Sequence, residues 1–433
     1  MKPPRYPEYR ASGMDWLGEV PAHWRVKRLK FAVELAGEKV DEMPDDGRYV
    51  GLEHIESWTG RHLGGEIELQ PESQTNQFRE GNLLFGKLRP YLAKVWRANF
   101  DGYSSGELLV LRQRDLLPDF AKYFCLSRGF IDLVNSSTYG SKMPRANWDF
   151  IGNQLAVIPP LDEQRAIAAF LDRETARIDA LIAIKRRFIA LLQEKRAALI
   201  SRAVTRGLDP DAPLKQSGIV WVGPIPAQWA VQPLKRVAEV RTGVAKGRKI
   251  EHDEAVTVPY LRVANVQDGY LDLDDVAEIE IGAHELDRYA LQAGDVLMNE
   301  GGDNDKLGRG HVWRDEVSPC IHQNHVFAVR PEAVRSGWLA LVTSSDYAKH
   351  YFLSFAKQST NLASISSSNL KNLPVILPPD DEQATILQFL ERALGRMGRL
   401  QAHSESAIEC LTEHRVSLIA SAVTGRMDTR TAA

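Results

Sequence analysis

The sequence predicts an α+β chain built from two copies of one module, each a globular domain followed by a long helix. Three observations predict it. Short motifs recur in the same order in both halves of the 433 residues. Each half closes on a 44-residue window with helical apolar spacing. Between motif and helix, short apolar runs alternate with Gly, Asn and Asp turns, as β segments do. With 44% hydrophobic and 26% charged residues, the chain has an ordinary globular composition and is long enough for two separate cores.

The modules open on a shared motif. Ser12–Trp24 reads SGMDWLGEVPAHW and Ser217–Trp229 reads SGIVWVGPIPAQW, identical at seven of thirteen positions. Val220 and Pro224 stand in the second where Asp15 and Glu19 stand in the first. The interiors, Arg25–Ile158 and Ala230–Leu377, show little alignable identity, so one frame is expected to carry two different jobs. Gly106–Leu111 and Asn324–Val329 read as strands, and Phe120–Phe130 and Trp338–Phe352 as helical patches. A second pair follows: PPLDEQRAIAAFL at Pro159–Leu171 and PPDDEQATILQFL at Pro378–Leu390, with eight of thirteen identical. LISRAVT (Leu199–Thr205) and LIASAVT (Leu418–Thr424) close the copies. The offset is 205 residues at the first pair and 219 at the others, so the second interior is 14 residues longer.

From Asp162 to Thr205 no Pro or Gly interrupts the chain, with acids in the first turn and Arg202 and Arg206 at the end, as the helix dipole favours. A helix of that length spans about 66 Å. The matching window Asp381–Thr424 contains Gly395 and Gly398, each costing roughly 1 kcal/mol relative to Ala, and a kink or close crossing is expected there. The first window carries a charge of +3 and the second −2, which favours pairing of the two helices as a coiled-coil-like spacer. The expected divisions are 1–158 and 208–377 for the globular domains and 159–207 and 378–425 for the helices, with 426–433 a disordered tail.

Catalytic motifs are missing. No phosphate-loop motif and no H-E-x-x-H occurs, no lysine has an acid two positions before it, and no N/D-P-P-Y/F tetrapeptide exists. Cys125, Cys320 and Cys410 form no C-x-x-C pair, which excludes a disulfide scaffold. Cys320, His322 and His325 match no standard zinc spacing, so packing is the expected role and no metal site is assigned. The first thirty residues lack an apolar signal region and no run of 18 apolar residues occurs, which points to a soluble cytoplasmic protein without membrane contact.

What the chain does carry is local basic surface. The net charge of −3 averages it away, but Gly81–Phe100 holds Lys87, Arg89, Lys94 and Arg97 with Tyr91 and no acid. Val240–Lys249 and the acid-free stretch Tyr347–Pro379 repeat the pattern in the second copy, and Ser136–Asn147 is a polar loop in the first. Cationic side chains neutralise phosphates, while Ser, Thr, Asn and Gln donate to phosphates and base edges. The candidate DNA contacts are Lys87, Arg89, Tyr91, Lys94, Lys142 and Arg145 in the first domain. In the second they are Arg241, Lys246, Arg248, Lys249, Lys306, Arg309, Gln323, Asn324, Ser359, Thr360 and Asn361. Two different readers on one spacer imply an asymmetric, bipartite target. An alternative is a helix-spaced adaptor that binds two proteins and no DNA.

The paired opening motifs and the two PP-x-DEQ helices resemble the specificity subunit of a type I restriction–modification enzyme, over essentially the whole chain. The resemblance implies two target-recognition domains and helices that pack antiparallel. It also implies double-stranded DNA, two methyltransferase (modification) subunits and restriction (translocase–nuclease) subunits as partners. S-adenosylmethionine, ATP and Mg would belong to those partners, leaving this chain non-catalytic and without a cofactor of its own.

Overall fold

A computed structural model describes residues 5–36, 38–41, 43–44, 47–64, 74–247, 255–302, 307–358 and 363–430. The chain divides into two compact units, residues 1–186 with 404–433 and residues 187–403. The two long helices, Leu161–Arg206 and Asp380–Val423, each give one half to each unit.

Within the first unit, Ile167 and Leu171 share a core with Ile419, Ala422 and Val423, and Asp179 meets Arg415. Sequence number rises along one helix as it falls along the other, so the segments are antiparallel. The second unit repeats this with Ile200, Ala203 and Val204 in one core with Ile386 and Leu390. The glycines do not end the helix. The second helix runs uninterrupted, a Cβ at Gly398 would meet nothing, and one at Gly395 would meet only the Arg399 guanidinium. No close crossing therefore requires either glycine.

The shared motifs build a frame in which the closing segment of each copy docks on the opening hairpin of the other. In the first unit, Tyr9–Ala11 pairs with Glu19–Pro21, and the Tyr9 hydroxyl donates to the Gly425 carbonyl (2.9 Å). A Cβ at Gly425 would lie 2.3 Å from the Pro21 ring, and φ there is +72°. Only glycine satisfies both demands just past a helix end. In the second unit, Leu214–Gln216 pairs with Pro224–Pro226, and Gly207, also at φ +72°, faces the Trp229 ring.

The glutamates and glutamines shared by the two copies tie helix to hairpin. The Trp24 and Trp229 indoles donate to Glu163 (2.9 Å) and Glu382 (2.8 Å). Gln164 and Gln383 donate back to the Pro159 and Pro378 carbonyls. The tail differs from expectation: Met427, Asp428 and Thr429 are buried, and Arg430 donates to Asp428. Apolar Met427 joins the first core, which is why the chain stays packed to Arg430.

Despite their unrelated sequences, the interiors share a central sheet. In the first unit it comprises β1 (Val33–Leu35), β2 (Leu83–Gly86), β3 (Val95–Arg97) and β4 (Leu108–Gln113), in the antiparallel order β1-β4-β2-β3. In the second, β5 (Ala238–Thr242), β6 (Val296–Asn299), β7 (Gly310–Val312) and β8 (Val326–Pro331) follow the order β5-β8-β6-β7. Two helices follow each sheet, broken at Ser127 and at Ser345, whose hydroxyls donate to the Phe124 and Val342 carbonyls at 2.6 Å each. Ladder register matches Leu35 to Val240, and Leu83 to Val296. The added residues of the second copy therefore lie in connections between shared strands, where insertions cost least.

Candidate nucleic-acid interface

In the first unit the chain leaving β2 turns outward and meets the polar loop before Asn147. Ala146 N–H donates to the Lys87 carbonyl (2.9 Å), Arg89 N–H donates to the Pro144 carbonyl (2.7 Å), and Leu88 bridges Arg145. Asn147 ends the loop by accepting from Phe150 N–H, capping the helix Trp148–Asn153. Arg89 sits at φ +50°, a region a side chain adopts only when its surroundings hold it there. Its guanidinium is exposed and reaches the Lys142 carbonyl at 3.5 Å. The turn Pro90–Leu92 holds Tyr91 44% exposed.

Lys87, Arg89, Tyr91, Lys142 and Arg145 thus converge on two adjoining loops. Arg145 pairs with Glu107 (3.1 Å), whose hydrogen bond raises the guanidinium pKa further and fixes its position. Tyr139 and Met143 are exposed on the same loop, and being uncharged they add nothing to its basic pattern.

The second unit uses the same backbone with other side chains. Glu300 N–H donates to the His325 carbonyl (2.9 Å), as Lys87 N–H does to that of Glu107 (3.0 Å). Ile365 N–H donates to the Glu300 carbonyl (2.9 Å), as Ala146 does to that of Lys87. The positions of Lys87, Glu107 and Arg145 are therefore filled by Glu300, His325 and Ser364. One scaffold carries a net positive trio in one unit and an acid paired with a histidine (2.6 Å) in the other.

Beside that pair, Val244 N–H donates to the His322 carbonyl, and Asn324 N–H to the Val244 carbonyl. Exposed Lys246 follows two residues after this pairing of Val244 with Gln323 and Asn324. Gln323 accepts from Val263 N–H at 3.4 Å, and the Asn324 amide lies 3.3 Å from the His325 ring. Arg241 points elsewhere, onto the Arg288 carbonyl and towards Glu239. Arg248, Lys249, Lys306, Ser359, Thr360 and Asn361 lie outside the described residues.

Residues 226–409 match the family described as "Type I restriction modification DNA specificity domain". The matched stretch lies in the second copy, and the first copy has the same central sheet and frame. The chain resembles type I restriction–modification specificity subunits. It is similar to the EcoKI specificity subunit of Escherichia coli K12, 24% identical over 73% of this chain and 68% of that one. It is also similar to the StySPI specificity subunit of Salmonella potsdam, 22% identical over 73% and 66%. A solved chain of a type I restriction–modification system shares the fold (TM-score 0.68, 21% identity, covering 93% of this chain and 98% of that one). So does the HsdS subunit of Thermoanaerobacter tengcongensis (TM-score 0.52, 19%, 94% and 98%).

Two candidate groups take other partners. The Lys94 ammonium donates to the carbonyls of Leu52 (2.7 Å) and Ile55 (2.8 Å), and burial lowers its pKa. Cys320, His322 and His325 take separate partners, the Ile321 carbonyl, the Val326 carbonyl and Glu300. Burial pushes His322 down to about 4, while the unfolded chain protonates near the model-peptide value of about 6.5. The unfolded state thus binds the extra proton between those values. Stability from neutral His322 is complete above about pH 6.5 and is lost as pH falls through about 4, on the order of 3 kcal/mol at full extent. Replacing His322 with Gln is expected to flatten the fall in melting temperature between about pH 6.5 and 4. Parallel profiles for the two proteins would show that the imidazole does not titrate in this window.

Proposed function

We propose that the chain is the non-catalytic DNA sequence-specificity subunit of a type I restriction–modification complex, reading an asymmetric bipartite target. The observation that carries this is the reuse of one scaffold with unlike side chains, Lys87, Glu107 and Arg145 against Glu300, His325 and Ser364. Common backbone with different donors and acceptors is what two half-sites of different sequence require. Residues 1–158 and 208–377 serve as the target-recognition domains, and 159–207 and 378–425 as the helices of the spacer.

Double-stranded DNA meets Lys87, Arg89, Tyr91, Lys142 and Arg145 in one domain, and Lys246, Arg309, Gln323 and Asn324 in the other. Two methyltransferase subunits dock on the duplicated frame, and restriction subunits join the complex. Those partners supply the S-adenosylmethionine, ATP and Mg chemistry, and the complex works in the cytoplasm. No helix among the described residues is long and apolar enough to cross a membrane.

Co-expression with a type I methyltransferase subunit, followed by genome-wide mapping of methylated adenines, tests the proposal. A single bipartite motif is expected, and Arg89→Ala should relax one half of it while leaving the other intact. A continuous motif, or equal relaxation of both halves, would overturn the two-reader reading. No modification together with salt-independent binding would favour the protein adaptor.

A further inference from the structure

We infer that Asn299 frees Arg309 to contact DNA in the second unit, at the position where the first unit keeps a structural lysine. The inference rests on the second unit being a DNA reader. Lys94 and Arg309 occupy equivalent places: Gly86 N–H donates to the Lys94 carbonyl (2.8 Å) and Asn299 N–H to that of Arg309 (3.0 Å). Phe85 pairs with Val95 across one ladder, and Met298 with Gly310 across the other. The residues flanking each turn also correspond, Leu52–His54 in the first unit and Val263–Asn265 in the second.

Both turns present two carbonyls that face inward and need a donor. In the first unit the Lys94 ammonium supplies it, to Leu52 and Ile55. Its path runs over Gly86, where a Cβ would lie 3.0 Å from the Leu52 side chain and 3.3 Å from the Lys94 Cβ. In the second unit Asn299 replaces that glycine and is fully buried. Its amide donates to the Val263 (3.2 Å) and Val266 (2.8 Å) carbonyls. The arginine is thereby relieved of the task, and its Nε has no hydrogen-bond partner among the described residues. A part-buried guanidinium whose Nε finds no acceptor among the described residues, beside a reading loop, suits a phosphate oxygen or the O6/N7 edge of guanine. Asn299 is the positioning residue and Arg309 the contacting one.

The test uses the complex with its methyltransferase and a duplex carrying the mapped target. Arg309→Gln should leave melting unchanged and weaken binding about tenfold. A shallower salt slope would mark a phosphate contact, and relaxed preference at one base of the second half-site a guanine contact. Lys94→Gln should lower melting and leave the salt slope untouched. Asn299→Gly should lower melting, and adding Arg309→Lys should restore it by rebuilding the lysine strut, while DNA affinity stays at the level of Arg309→Gln. The inference is overturned if Arg309→Gln binds and discriminates like wild type, or if the double variant melts no higher than Asn299→Gly alone. A wild-type complex that shows no salt-dependent binding sinks the DNA-reading proposal itself.

Discussion

Replacing Arg415 with alanine is expected to destabilise the first unit by about 3–5 kcal/mol, because a buried ion pair is broken and two carbonyls lose their donor. The Arg415 side chain is 7% exposed and that of Asp179 13%, and they meet at 3.0 Å. The same guanidinium donates to the Trp58 (2.8 Å) and Thr59 (3.3 Å) carbonyls. Arg61, two residues on, also pairs with Asp179. One residue on the second long helix therefore anchors the turn after Leu52–His54 to the first long helix. Trp58, held at φ +66°, keeps that conformation only while the turn is pinned.

Arg415→Met keeps the packing stem and should still lose most of this energy, since two carbonyls lose their donor and Asp179 keeps only the exposed Arg61. Pairing it with Asp179→Leu should recover much of the loss, because an apolar pair of similar volume has no charge to desolvate. Amide hydrogen exchange across residues 52–64 would read the local effect. A loss below about 1 kcal/mol would mean that water reaches the pair, as at a surface ion pair.

The frame was legible in the sequence because its residues make identical bonds twice. Glu163 and Glu382 each take an indole, and Gln164 and Gln383 each clamp a proline carbonyl, so neither can drift without a buried donor losing its acceptor. The common topology of the interiors was not legible. β-Sheet order depends on pairings distant in sequence, and positions such as Leu83 and Val296 need only be apolar. The exchange of closing segments was also hidden, since Gly207 fits the hairpin of either copy equally well on paper. Charge patterning found Lys87, Arg89, Lys142 and Arg145 together, because exposed loops carry few competing internal acceptors. It failed at Lys94 and Arg241, where the decisive partners are backbone carbonyls of Leu52, Ile55 and Arg288 that no residue pattern encodes.

Trp24→Ala should cost about 3–5 kcal/mol, the range for emptying a fully buried aromatic site. Trp24 is 1% exposed and lies against Tyr6 with ring centroids 5.7 Å apart, while the Gly425 turn closes over its far edge. Its loss opens the seat of the closing segment, so the end of the second long helix and residues 426–430 should exchange faster with solvent. Glu163→Gln separates packing from charge at the same seat. Its amide oxygen still accepts the indole N–H, but His23 at 2.6 Å and Arg430 at 3.8 Å lose a carboxylate. The expected cost is about 1–2 kcal/mol, in the range of a charge-assisted bond exchanged for a neutral one. Glu382→Gln should cost less, because its second donor, the Gln228 amide, is neutral and exposed at 3.4 Å. Chemical unfolding of the three variants, with hydrogen exchange to assign each loss to its unit, checks the order. Equal losses for Glu163→Gln and Glu382→Gln would show that the indole bond alone governs the seat and that His23 and Arg430 contribute nothing to it.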